Sequence, residues 1–174
     1  MKIVFISGDG HGAGKTYLAR KFTNGSHQIF SIANTIRFEI SQKYKNYAWY
    51  NKSPEYKDNT IVKETNKTIR EMLDEFGRNK KAKKKLYWAI ALANSLIYAK
   101  ENDKLDIVVI DDLRFVDEMR YIKDRFPHDT SCHFHVINPK AVPEPHYENE
   151  RLRKLADYFV SANRSLEGEE SAVA

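Results

Sequence analysis

The sequence predicts an α/β fold of three layers, with a mainly parallel sheet of about five strands flanked by helices. Three observations predict it. Residues 2–16 pass from an apolar run, Ile3 to Ile6, through a glycine-rich loop to Gly14-Lys15-Thr16 and on into a helical pattern. A second, β-branched run, Ile107-Val108-Val109-Ile110, ends in Asp111-Asp112. Between and after them, short apolar runs alternate with stretches of helical period, the order that builds a parallel sheet.

The elements follow in order. Ile3 to Ile6 reads as a buried strand and Tyr17 to Phe22 as the first helix. Gln28 to Ile32 is a second strand, and Ala33 to about Tyr44 a helix with Ile36, Phe38 and Ile40 as its apolar positions. Residues 45–60 are aromatic, polar and without period, so they read as a surface excursion. Ile69, Met72, Leu73 and Phe76 follow the i, i+3, i+4, i+7 rule, and Gly77 reads as the C-terminal cap of that helix. A helix from about Lys81 to Lys100 carries Leu86, Ile90, Ala93, Leu96 and Ile97 on one face. After the Ile107–Ile110 strand, Phe115, Val116, Met119, Ile122 and Phe126 mark a helix that Pro127 stops. His133 to Ile137 is a strand, Glu148 to Ala156 a short helix and Tyr158 to Ser161 a last strand. The tail from Glu167 is acidic and expected to fray.

The loop after the first strand reads as a phosphate-binding loop. Gly8, Gly10, Gly12 and Gly14 alternate along it. Backbone N–H groups converge on a phosphate only where no Cβ intrudes, which calls for glycine. Gly10, His11, Gly12, Ala13, Gly14, Lys15, Thr16 and Tyr17 are therefore the candidate nucleotide-binding residues. The Lys15 ammonium suits the β- and γ-phosphates of ATP and the Thr16 hydroxyl suits Mg²⁺. The strict spacing would put the loop's first glycine at position 9, where this chain has Asp9.

A strand that ends in Asp111-Asp112 resembles a second magnesium element, in which a carboxylate holds the ion directly or through water. Either aspartate can serve; Thr16 and Asp111 form the candidate metal pair, and Asp112 can also cap the next helix. Arg37, Arg70 and Arg114 are the candidate anion-binding arginines, because the guanidinium fork matches phosphate oxygens. Together with Lys15, Asp111 and Asp112 they make up the candidate catalytic set.

A length of 174 residues suits one domain with one core, carrying an acceptor-binding or lid excursion near residues 45–85. The apolar content of 41% excludes a disordered chain, and no apolar run approaches the ~18 residues of a membrane span. Cys132 is the lone cysteine, read as a small apolar strand residue in a reducing, cytoplasmic setting. The net charge of +5 suits anionic ligands, and residues 78–85 hold six cations in eight positions. That run fits a solvated helix start, a phosphate-gripping lid or a nucleic-acid contact. Arg151, Arg153, Lys154 and Arg164 offer a second cationic segment for a lid. The six histidines show no metal-ligand spacing, and His133 and His135 read as packing residues on one strand face.

The order of segments resembles the phage deoxynucleoside monophosphate kinase family of P-loop kinases. The resemblance is carried by Phe5-Ile6-Ser7-Gly8 with Gly14-Lys15, by Ile32 to Arg37, by Ile69 to Gly77 and by Tyr87-Trp88. It continues in Asp112-Leu113-Arg114-Phe115-Val116-Asp117-Glu118-Met119, then His146, Asp157 to Val160 and Asn163 to Leu166. Family loops often read Gly-Lys-Asp where this chain has Gly14-Lys15-Thr16, and Arg164 stands where an Asp-Gly pair is usual. The resemblance implies a P-loop kinase fold and ATP- and Mg²⁺-dependent phosphorylation of a deoxynucleoside monophosphate. It sets Arg70 and Arg114 against the phosphates and Asn163 near the ATP base. A viral origin would place the protein in a host cytoplasm, with a homodimer as the candidate assembly.

Two further functions compete. One is a kinase acting on the hydroxyl of a 5-hydroxymethyl pyrimidine in phage DNA. The basic run and Tyr47, Trp49 and Tyr50, read as exposed, would then bind phosphates and stack on bases. A hydroxyl acceptor needs a carboxylate base, for which Asp9, Glu39, Asp111 and Asp112 are candidates. The other is a nucleotide-binding protein without transferase activity.

Overall fold

A computed structural model describes residues 1–23 and 28–162. The protein is α/β, with a five-stranded sheet in the order β2-β5-β1-β6-β7. These are β1 (Lys2–Gly8), β2 (Ile29–Phe30), β5 (Ile107–Ile110), β6 (Thr130–Ile137) and β7 (Tyr158–Ser161), and every neighbouring pair is parallel. β1 is central and buried from Ile3 to Gly8, which is why its sequence is a continuous apolar run rather than an alternation.

Alternate residues serve the two faces. Val4, Ile6, Val109 and Val136 pack with Ala19 of α1 (Lys15–Lys21) on one face, with half-buried Cys132 among their neighbours. Ile3, Phe5, Val108 and Ile110 pack on the other. There they meet Leu92 and Leu96 of α5 (Tyr87–Glu101), Met119 and Ile122 of α6 (Val116–Arg125), and Leu152 of α7 (Asn149–Lys154). Val116 N–H at the start of α6 donates to Glu148 Oε2 at 2.8 Å, so a carboxylate next to α7 closes that helix end. Asp112 does not cap it; the N-cap is Phe115.

The excursion is more ordered than its sequence suggests. After α2 (Ile32–Lys43) come α3 (Pro54–Asn59), the two-stranded pair β3 (Ile61–Val62) and β4 (Lys67–Thr68), and α4 (Ile69–Lys83). Trp49 is 1% exposed and packs with Ile40, Val62, Ile69 and Met72 in a core of its own. Its indole N–H donates to Tyr44 O at 2.6 Å. The expectation of an exposed Trp49 is thus corrected: no periodic neighbour announces its burial, and residues brought in from α2, β3 and α4 enclose it. Phe38, counted with the apolar face of α2, is exposed.

Gly77 does not cap α4. The helix runs through it to Lys83, capped by the Thr68–Glu71 box at its start. Glycine is used there for close approach: a Cβ would lie 3.3 Å from Ile36 Cδ1, and Gly77 O accepts from Trp88 Nε1 at 2.9 Å. The basic run therefore ends α4 instead of starting α5, where cations favour the helix C-terminus.

Candidate functional site

The carboxyl ends of β1 and β5 lie side by side, which is where open parallel sheets bind ligands. The loop after β1 is pinned on its far side by reciprocal bonds between His11 and Val142, both 2.9 Å. Gly10 is buried beneath that bridge, and a Cβ there would stand 2.0 Å from Val142 O. Gly12 and Gly14 have φ of +77° and +97°, conformations that side chains rarely tolerate. Ala13 is buried against the α1 face of the sheet, and His11 and Tyr17 are exposed.

Lys15 folds back across the loop, its ammonium donating to Gly10 O at 2.8 Å. Burial lowers its pKa, and the charges of Asp112 and Glu144 oppose that shift. Thr16 Oγ1 donates to Asp111 Oδ2 at 3.1 Å. Asp111 is 7% exposed; burial first, and the neighbouring Asp112 second, push its carboxyl pKa up. Such a carboxylate gains from a cation. A hydroxyl beside one carboxylate suits Mg²⁺, which keeps several waters and takes its remaining ligands from phosphates. Among the described residues no cluster of three or more His, Cys, Asp or Glu forms an all-protein metal cage.

Arg114 lies near enough to Lys15 for its charge to act on that ammonium. Its Nε donates to Asp112 Oδ1 at 2.9 Å, Nη1 lies 3.6 Å from Glu144 Oε1, and the guanidinium sits 4.1 Å over the Tyr147 ring. Burial works against its charge, but Asp112, Tyr147 and Glu144 outweigh burial and hold its pKa above the ordinary value. Arg37 donates to Asn34 Oδ1 at 2.8 Å, while its buried Nε has no partner. Burial lowers its pKa against the pull of Asp112 and Asp111. An orphaned guanidinium N–H beside two carboxylates is a donor that an incoming anion would satisfy.

The candidate residues thus divide. Lys15, Thr16, Asp111, Asp112, Arg114 and Arg37 gather at the strand ends. Arg70 instead pairs with Asp58 on the excursion through Nε and Nη2, with about half of each side chain exposed. Asn163 and Arg164 lie outside the described residues. Of the basic run, Lys80 bonds Glu39 and Tyr87, Lys81 sits 3.1 Å over the Phe115 ring, and Lys85 pairs with Asp117.

Sequence reasoning missed Glu144 and Tyr147, the partners of Arg114, and Asn138, whose Nδ2 donates to Gly12 O at 3.1 Å. It also read His133 and His135 as packing residues without a carboxylate nearby, whereas His135 Nε2 lies 3.0 Å from Asp9 Oδ1. The signal that pointed there was Asp9 itself, in the place of a loop glycine.

No family model matches the chain, and no curated protein matches it. No helix among the described residues is long and apolar enough to cross a membrane.

Proposed function

We propose that the protein is a kinase that transfers the γ-phosphoryl group of ATP to a deoxynucleoside monophosphate. The observation that carries this reading is the Thr16–Asp111 hydrogen bond beside Lys15, with Arg37 and Arg114 within reach of the charge of Asp112. An oxygen of the acceptor phosphate forms the new bond to the γ-phosphorus, the bond to the bridging β–γ oxygen breaks, and ADP leaves. Lys15 neutralises charge on the transferring group, and the loop amides cradle the phosphates. Thr16 and Asp111 would hold Mg²⁺, which would neutralise charge on the phosphates. Arg37 and Arg114 orient the acceptor phosphate. An anionic phosphate needs no strong base, so Asp112 is free to hold Arg114 in place.

A small acceptor is favoured over DNA by the burial of Trp49 and by the pairing of Lys80, Lys81 and Lys85. Those are one of the three aromatics and three of the six cations that the DNA reading used; Tyr50 stays exposed, as that reading expects. The test is transfer of label from γ-labelled ATP with Mg²⁺ to a panel of deoxynucleoside monophosphates, plain DNA and DNA carrying hydroxymethyl pyrimidines. Label on a mononucleotide is expected. Label on modified DNA alone would replace the acceptor class, and ATP binding without transfer would remove the enzyme reading.

A further inference from the structure

Beneath the phosphate loop, four polar side chains form one chain that is buried except at Asp9. His133 Nε2 lies 2.7 Å from Ser7 Oγ, and Ser7 Oγ lies 2.8 Å from His135 Nδ1. His135 Nε2 lies 3.0 Å from Asp9 Oδ1. At the far end His133 Nδ1 faces Leu155 O at 3.3 Å. Ser7, His133 and His135 are each 0% exposed. The parallel register of β1 on β6 pairs Phe5 with His133 and Ser7 with His135, which puts all three polar side chains on the sheet face beneath α6 and α7.

A proton count fixes the direction of this chain. Asp9 as a carboxylate only accepts, so His135 Nε2 carries the hydrogen and its Nδ1 is bare. Bare Nδ1 accepts from the Ser7 hydroxyl, and Ser7 Oγ in turn accepts from His133 Nε2–H. His133 Nδ1 is then bare opposite Leu155 O. Two neutral imidazoles and a hydroxyl hold three hydrogens for four contacts, and the contact left without one is the longest of the four. Burial, which lowers the pKa of His133 to about 4 and that of His135 in the same direction, agrees with neutral rings. Of the surrounding charges, Lys123 on His133 and Lys15 and Arg153 on His135 also disfavour a protonated ring, while Asp157 and Asp9 favour one.

We propose that Asp9, His135, Ser7 and His133 form a one-directional hydrogen-bond relay that positions the phosphate loop, making Ser7 and His135 positioning residues for nucleotide binding. All three bonds point their hydrogens toward Asp9, so each polarises the next. The other Asp9 oxygen accepts from Asn138 N–H at 3.0 Å, and Asn138 then reaches Gly12 O. The loop is thereby tied to the end of β6 at residues 9 and 12. The relay also accounts for an acidic side chain inside an anion-binding loop. A loose carboxylate there would repel phosphate; two donors hold this one against β6 instead. The contacts of the relay stand on geometry, their direction on rings kept neutral by burial, and the role in nucleotide binding on the proposed kinase reading.

Two measurements test it. Long-range ¹H–¹⁵N correlation of the histidine rings in the full chain at pH 7 is expected to give His133 and His135 as Nε2–H tautomers, assigned by loss of one signal in His133→Gln. An Nδ1–H tautomer or an imidazolium at His135 overturns the relay. Ser7→Ala cuts it at the centre, and equilibrium binding of Mg-ATP is expected to weaken about tenfold, with KM for ATP rising more than kcat falls. If the wild type binds ATP and Ser7→Ala binds it equally well, the positioning role is overturned alone. If the wild type binds no ATP, the kinase reading falls and the positioning role with it, whatever the tautomers.

Discussion

Thr16 Oγ1 donates to Asp111 Oδ2 at 3.1 Å, joining the first turn of α1 to the end of β5 across 95 positions of sequence. The carboxylate is nearly buried and its ionised form is disfavoured by burial and by Asp112. A divalent ion would reverse that balance. Asp111→Asn keeps the shape and the oxygen that Thr16 reaches but removes the charge. Transfer should fall on the order of 10²-fold, and the Mg²⁺ concentration for half-maximal rate should rise. An unchanged magnesium titration would take Asp111 out of the metal pair.

Lys15→Ala should abolish turnover by orders of magnitude while the chain still folds. Its ammonium spends one bond on Gly10 O and is disfavoured by burial, so little stability depends on it. The check is label transfer beside a thermal melt by circular dichroism. Near-normal transfer would contradict the phosphate-loop reading; a collapsed melt would show that the lysine holds the loop together.

The three arginines should separate. Arg37→Ala removes a guanidinium with a partnerless buried Nε, and Arg114→Ala one clamped between Asp112, Glu144 and Tyr147. Each should lower kcat/KM for the acceptor by about 10² or more, with ATP binding retained. Arg70→Ala breaks an exposed, solvent-screened pair with Asp58 and should change kcat/KM several-fold at most. Steady-state kinetics varying the acceptor distinguish them. A loss for Arg70 as large as for Arg114 would mean that the excursion swings Arg70 onto the substrate.

What the sequence disclosed and what it hid follow from the range of the interactions. The strand, loop and Gly-Lys-Thr at the start are a local pattern, and so is the β5 run into Asp111-Asp112. Both elements lie where their pattern implied. Gly77 was misread because propensity sees a helix breaker, whereas the packing of α4 on Ile36 asks for a residue without a side chain. Trp49 was misread because the aromatics of residues 45–60 follow no period that sets it apart from its neighbours, and its burial depends on four residues from elsewhere. The relay was invisible for the same reason: Ser7 and His135 are 128 positions apart and meet only through the register of β1 on β6.

Glu118, within reach of the charges of Asp112 and Arg114, gives a pH-dependent prediction. Its carboxyl is 5% exposed, Oε2 has no partner, and Lys81 approaches Oε1 only to 3.7 Å. Burial, aided by Asp112 and opposed by Lys81, raises its pKa to about 7 from an ordinary 4.5. The folded state therefore binds this proton more tightly than the unfolded chain does. Its contribution to stability is complete below pH 4.5 and is lost as pH rises through 7, a change of about 3 kcal/mol at most. Glu118→Gln does not titrate. The stability of Glu118→Gln relative to wild type should rise between pH 4.5 and 7, by no more than about 1.4 kcal/mol per unit, and level off above. Urea unfolding of both proteins at four pH values from 5 to 8 measures the difference directly, and charges common to both cancel. A difference independent of pH would mean that Lys81 keeps Glu118 ionised throughout, with the pair then acting as a fixed strut between α4 and α6.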